Sequence, residues 1–415
     1  MNIRVLLLLF MAHLLTDFGQ GSIPIVGQYL RDTAGLTLSQ VGTLTLVSSL
    51  LSAVVQPLVG IYSDRARNGW MIPLGLAAVG AGVWGLAHAS TYAWQLFFVA
   101  LTGVGVATFH PEGMRAAHYA SGGRTTGMSI FQVGGNAGYG LGPAAAGAAI
   151  AAAGLAGMTW IAVPPLLWAL VMIVSLPAVR ALWERRAAVA AAASTAGAGE
   201  SGEPGDLTGR GKPAPSRAGQ PSAPSQDRWG PAAMVLTVVA LRAAFQFGLT
   251  TFLPIYYVEV RGGDPARSGL VLSLYLLVGA LGTLVTGPIA DRIGPRRYMA
   301  LAMALLPVLH LATLATPGSW MLLFLALQGF FLVSQYAVSV VLNQLYVPNH
   351  LALVSGLNVG LGITVGGIGA ATAGWIADAV GLVPTLMGMS VLPVIATVLA
   401  VRLPEPQPEP AAHTA

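Results

Sequence analysis

The chain has 415 residues, 55% of them hydrophobic and only 8% charged, with a formal net charge of +5. A soluble surface carries roughly 25% Asp, Glu, Lys and Arg, so a water-soluble multidomain protein is excluded and lipid must be the solvent. The 52 glycines follow no Gly-X-Y period, which excludes collagen, and the absence of cysteine excludes disulfides, thiolate metal sites and thiol catalysis.

A membrane helix needs about 20 mostly apolar residues. Twelve segments qualify: 5–30, 38–62, 70–89, 93–112, 125–151, 158–180, 231–259, 267–290, 297–316, 319–343, 352–377 and 382–402. The first begins like a signal peptide, with Arg4 before an apolar run, but no small-residue cleavage site follows and the run continues past Asp17 to Leu30. It is read as an uncleaved helix. Ala187 to Gly230 is 44 residues rich in Ala, Gly, Pro and Ser, the composition of a disordered linker. The Pro-rich stretch 403–415 reads as a disordered tail. The predicted organisation is a six-helix bundle over 1–186, a linker over 187–230, a second six-helix bundle over 231–402 and the tail.

With the N-terminus placed in the cytoplasm, sixteen of the twenty basic residues fall on the cytoplasmic side. Only Arg31, Arg261 and Arg267 fall outside, and Arg242 lies within a span. The basic balance is therefore a topology signal, and nucleic-acid binding is not needed to explain it. Both termini, the linker and the tail are expected in the cytoplasm.

Each half repeats one device between its second and third spans. The first copy reads Gly60-Ile61-Tyr62-Ser63-Asp64-Arg65, and the second runs Gly287-Pro288-Ile289-Ala290-Asp291-Arg292-Ile293-Gly294-Pro295-Arg296-Arg297. Glycine lets helices approach closely, an aspartate at a helix end can cap a neighbouring N-terminus, and arginines hold the loop in the cytoplasm. Two copies at matched places in a six-plus-six chain predict two pseudo-symmetric halves.

These features resemble the major facilitator superfamily over the whole chain outside linker and tail. Gly138-Tyr139-Gly140-Leu141-Gly142-Pro143 resembles the superfamily's G-x-x-x-G-P element, typical of its drug/proton antiporters. His13-Leu14-Leu15-Thr16-Asp17, Phe109-His110-Pro111-Glu112, Ala120-Ser121-Gly122-Gly123-Arg124 and Ser129-Ile130-Phe131-Gln132-Val133-Gly134-Gly135-Asn136 resemble the fosmidomycin-resistance branch. The resemblance implies an all-α membrane protein with twelve transmembrane helices in two bundles. It further implies export of small antibacterial compounds in exchange for protons, a bacterial inner-membrane location and a monomer. Two departures stand out: Arg67 where the superfamily usually has Gly, and Val99 about where many proton-coupled members have Arg. The coupling route of those members does not carry over.

An ionisable group at mid-membrane costs about 3 kcal/mol on insertion scales and is a functional candidate by default. Asp17 lies twelve residues after Val5, about 18 Å along the helix. His13, four residues earlier, shares its face. Arg242 lies eleven residues into the seventh span, whereas His110 and Glu112 are placed near the cytoplasmic end of the fourth. The resemblance puts the first, fourth, seventh and tenth helices around a central cavity, so His13, Asp17, His110, Glu112 and Arg242 are the expected substrate and proton groups. An Asp17–Arg242 pair between halves is expected, either as a switchable proton site or as a permanent salt bridge. Gln132 and Asn136 are read as cavity-lining ligands or interhelical bonds, and Gln328, Gln335, Tyr336 and Asn358 as cavity-lining polar contacts. His88, His118, His310 and His350 are placed at loops or helix ends, without a role.

Two further readings stay open. A proton symporter or facilitator for a small metabolite fits the same residues. A membrane-embedded metal enzyme would draw ligands from His13, Asp17, His110 and Glu112, but no H-E-x-x-H is present and the doubled plan has no reason to exist in a hydrolase. No G-x-x-x-x-G-K-[ST] motif occurs, so a gradient rather than ATP is the expected energy source, with no cofactor.

Overall fold

The computed structural model describes residues 1–66, 69–122, 124–199 and 226–406. Among these there is no strand, and the chain makes twelve helical passes. Helix α1 is Ile3–Gly21 and Ile23–Ala34, parted at Ser22. It is followed by α2 (Leu38–Ala66), α3 (Met71–His88), α4 (Tyr92–Ser121), α5 (Thr125–Ala153) and α6 (Met158–Gly199). The second half holds α7 (Trp229–Ile255), α8 (Pro265–Ile293), α9 (Pro295–Ala315), α10 (Gly318–Tyr346) and α11 (Leu351–Val380). The last pass, α12, is Leu382–Met389 and Val391–Arg402, parted at Ser390. Among the described residues, eleven continuous segments are long and apolar enough to cross a membrane. One of them, Gly127–Leu182, contains two passes, α5 and α6, joined by a tight turn at Gly154–Gly157.

Helix ends follow local chemistry. Thr91 accepts a hydrogen bond from the Trp94 N–H at the start of α4, and Asp264 accepts one from the Ala266 N–H ahead of Pro265 at the start of α8. Gly294, the glycine of the second repeated motif, joins α8 to α9 at φ +92°, where a side chain would be strained. The side chains of Asp64 and Arg65, like Arg67, lie outside the described residues. Asp291 and Arg292 are exposed in the last turn of α8.

The halves match packing for packing. In the first, α1 lies on α5, α3 on α4 and α6, and α2 on α4. In the second, α7 lies on α11, α9 on α10 and α12, and α8 on α10. The two main contacts between halves, α2 on α11 and α5 on α8, exchange under the same six-helix offset. This is the internal repeat expected of an alternating-access transporter.

The halves are joined at the end away from the chain termini. There Asp378 of α11 accepts hydrogen bonds from the Leu38 and Ser39 N–H groups at 2.8 and 2.9 Å, capping α2 from the other half. Arg31 pairs with Glu259 at 2.5 Å, Ser268 donates to Gln28 at 3.2 Å, and Thr45 meets Thr251 at 2.9 Å. Toward the termini, Leu58 on α2, Leu284 on α8 and Leu353 on α11 are exposed.

Three expectations are corrected. Helix α4 does not stop at 112 but runs to Ser121, because an internal Pro such as Pro111 is tolerated in a membrane helix when neighbours satisfy the freed backbone. Helix α6 runs on to Gly199, past the expected linker start at 187, and α7 begins at Trp229; residues 200–225 of the linker lie outside the described residues. The start of the tail is docked rather than free. Leu403 is buried, Tyr346 donates to the Pro404 carbonyl at 2.6 Å, and Glu405 pairs with Arg296 at 2.6 Å. Residues 407–415 lie outside the described residues.

Candidate functional site

Between the halves lies a cavity of about 660 Å³. Asp17 of α1, Met114 of α4, Gln132, Asn136 and Tyr139 of α5, and Leu276, Ala280 and Thr283 of α8 line it. Arg242, Gln246 and Phe247 of α7, Tyr336 of α10 and Gly362 of α11 complete its polar and narrow parts. The size and the mix of an apolar wall with few polar groups suit a small molecule.

On one side stands a compact cluster. Asp17 Oδ2 is 3.3 Å from His13 Nε2, and its Oδ1 is 3.4 Å from His110 Nε2. The two Nε2 atoms are 3.2 Å apart. The helical spacing of His13 and Asp17 brings the first pair together. His110 joins because α4 continues well beyond it, so it sits within the helix rather than at its end. The rings are fixed from behind. His13 Nδ1 donates to the Phe131 carbonyl at 2.9 Å and stacks on the Phe131 ring at 4.2 Å, and His110 Nδ1 donates to the Val106 carbonyl at 2.8 Å. A carbonyl can only accept, so in both rings Nδ1 carries a proton, and in a neutral ring the Nε2 lone pair faces inward. Gly135 of α5 makes room, since a Cβ there would collide with His13 Nε2 and Asp17 Oδ2.

Arg242 stands on the opposite half and does not pair with Asp17. Among the described residues no carboxylate lies within salt-bridge distance of it. Its guanidinium donates to Gln246 Oε1 at 2.5 Å, and its Nε has no partner although the residue is only 6% exposed. The expected pair between halves is corrected because Asp17 turns to the two imidazoles of its own bundle. Glu112 is buried and pairs with Arg115 at 2.5 Å, one turn along α4, rather than joining the cluster.

Of the remaining expected polar contacts, Gln132, Asn136 and Tyr336 line the cavity, whereas Gln328, Gln335 and Asn358 do not. Gln328 meets His310 at 3.2 Å, and Asn358 bonds Asn343 at 3.0 Å and Ser339 at 3.2 Å. Gln335 is fully buried away from the cavity. His310 is not at a helix end: it lies within α9, buried, and its Nε2 bonds the Leu386 carbonyl at 2.8 Å. Gln246 was missed, although its place four residues after Arg242 made it legible. Gly135 carried no signal beyond its type.

Gly138 and Gly142 pack α5 on α1. A Cβ on Gly138 would meet the Leu14 carbonyl, and one on Gly142 would lie 2.5 Å from the Phe18 carbonyl and 3.1 Å from Ser22 N, at the break in α1. Beyond Pro143, the Ala144 N–H donates to Ser273 Oγ of α8 at 2.9 Å, across the two halves. Of the other glycines in the repeated motifs, a Cβ on Gly60 would have Pro111 at 4.0 Å, and one on Gly287 would meet nothing within 4 Å among the described residues.

The chain belongs to the Major Facilitator Superfamily, whose family model matches residues 9–267 and 235–415. It is 30% identical over 406 residues to the Uncharacterized MFS-type transporter YfnC of Bacillus subtilis (strain 168), covering 97% of this chain and 93% of that one. It is 30% identical over 371 residues to the Fosmidomycin resistance protein of Escherichia coli (strain K12), covering 89% and 85%. Among solved structures, a bacterial homolog to the human lysosomal transporter Spinster, in an inward-facing and occupied conformation, superposes with a TM-score of 0.74 at 16% identity over 96% of each chain. The nucleoside transporter NupG superposes with a TM-score of 0.69 at 14% identity, covering 97% of this chain and 99% of that one. Family and fold are those of secondary transporters, and the chain is a multi-pass membrane protein of that class.

Proposed function

We propose that the chain is a proton-coupled exporter of small antibacterial compounds in the bacterial inner membrane, with both termini in the cytoplasm and the cavity open to that side. The orientation rests on the concentration of sixteen of twenty basic residues at the terminal end. The export reading rests on the similarity to the Fosmidomycin resistance protein. The observation that carries coupling is the cluster. Two inward Nε2 lone pairs and a carboxylate lie 3.2–3.4 Å from one another and repel unless a cation is shared among them. A proton taken from one side and released to the other serves as that cation. Arg242, buried and lacking a carboxylate partner among the described residues, favours an anionic substrate, because an uncompensated buried charge gains strongly from a counter-ion.

A susceptibility panel tests this reading. Cells expressing the protein would be challenged with fosmidomycin, other antibacterials and toxic metabolites, with and without a protonophore. Resistance to at least one compound that collapses with the protonophore is the expected result. Increased sensitivity, with faster uptake down the proton gradient, would instead assign a proton symporter.

A further inference from the structure

We propose that His13, Asp17 and His110 form a binding site for one divalent transition-metal ion of the zinc class, entered from the central cavity. Such an ion would take the place of the shared proton at the same three groups, so the inference is separate from the transport reading and is argued from geometry alone. With metal–ligand bonds of about 2.0–2.1 Å, neighbouring ligands of a tetrahedral ion lie about 3.3 Å apart. The two Nε2 atoms are 3.2 Å apart, and each approaches its own Asp17 oxygen, His13 at 3.3 Å from Oδ2 and His110 at 3.4 Å from Oδ1; one ligand atom from each residue lies within 4.8 Å of the others. With a single carboxylate oxygen, two of the three ligand pairs already stand at the tetrahedral spacing, and rotation of the Asp17 carboxylate brings in the third.

The tautomers suit the same role. A metal-bound imidazole offers one nitrogen to the ion and donates its other N–H to a carbonyl or carboxylate, which orients the ring. Both rings here donate Nδ1–H to backbone carbonyls, of Phe131 and Val106, leaving both Nε2 atoms to the ion. His13 is further held by stacking on Phe131. Two imidazoles and a carboxylate select zinc, cobalt, nickel or copper over magnesium and calcium, which prefer all-oxygen shells. The fourth position has a route to solvent. Asp17 lines the cavity and its side chain is 14% exposed, as is 16% of the His110 side chain. Three protein ligands and one open position describe an exchangeable site rather than a closed structural one.

The test reads binding directly and needs no transport, so it succeeds or fails independently of the exporter reading. Tag-free protein in detergent is titrated with zinc chloride against a chromophoric chelator, and separately with magnesium chloride. One zinc per chain is expected, undisturbed by equal magnesium. Asp17→Asn, His13→Gln and His110→Gln should each weaken binding by more than the roughly 10- to 100-fold that loss of a mere orienting partner costs. His88→Ala, which removes an exposed histidine at the end of α3, should leave it unchanged. Asp17→Asn preserves side-chain shape, so it decides the matter if a histidine variant misfolds. Absence of stoichiometric zinc, equal displacement by magnesium, or unchanged affinity in Asp17→Asn overturns the proposal.

Discussion

Asp17 and Arg242 face one cavity from opposite halves but answer to different partners, and this separates their roles. Asp17 is tied to the imidazoles of its own bundle, at 3.3 and 3.4 Å, so its substitution should uncouple transport more than it weakens substrate binding. In proteoliposomes, Asp17→Asn is expected to abolish uphill accumulation driven by a pH gradient while keeping passive exchange. Uphill transport at the native rate would demote Asp17 to a structural partner. Arg242 behaves in the opposite way. A hydrogen bond to a charged group is worth roughly 1.5–3 kcal/mol, so Arg242→Ala should cost about 10- to 100-fold in affinity for an anionic substrate and much less for a neutral one. Equilibrium binding of an anionic and a neutral compound of similar size, compared between wild type and variant, checks the difference.

At the scale of elements, the glycines of α5 decide how the cluster is assembled. Gly138 and Gly142 press on the carbonyls of Leu14 and Phe18, and Gly135, on the same helix, leaves the space that His13 and Asp17 fill. A bulky residue at Gly142 would strike backbone, which cannot rotate away, and overpacking of this kind costs typically 1–3 kcal/mol. Gly142→Leu should insert and express at normal levels yet transport poorly, as read by membrane yield and by uptake in vesicles. Transport at the wild-type rate would show that the close approach of α5 to α1 is incidental. The α4 helix supplies a second lesson. Its continuation to Ser121 carries His110 inward, and Arg115 on the next turn engages Glu112 instead of marking a loop.

For the whole molecule, the question is what holds the halves together at one end. The Asp378 carboxylate bridges them by capping α2, where two N–H groups have no partner within their own helix. Removing a cap costs about 1 kcal/mol, which is roughly a fivefold change in an equilibrium between two states. Asp378→Ala should therefore raise the population of molecules open at that end. The chain has no cysteine, so spin labels placed by Thr33→Cys and Arg267→Cys, both exposed and on opposite halves, report the gap. A longer mean distance in the variant is expected, and an unchanged distribution would show that Arg31–Glu259 and its neighbours suffice.

Composition and order along the chain determined the architecture without help. Lipid satisfies no backbone group, so each span must be a helix of sufficient length and apolarity, and both properties are local. The repeated Asp-Arg motifs are local as well, and so is the His13–Asp17 spacing. Which helix faces which was not local. These helices are apolar on nearly every side, because lipid and a packed neighbour both prefer apolar contacts, and so periodicity does not single out a buried face. For that reason Gln328, Gln335 and Asn358 looked like cavity residues, yet the structure buries them all, bonding Gln328 and Asn358 to neighbouring side chains. His110 looked like a helix-end residue but meets Asp17. The partner of a buried charge is set by how helices rotate about their own axes when they pack. Only the tertiary structure decides that rotation, and here it gave Asp17 two histidines and left Arg242 facing the cavity with no carboxylate partner among the described residues.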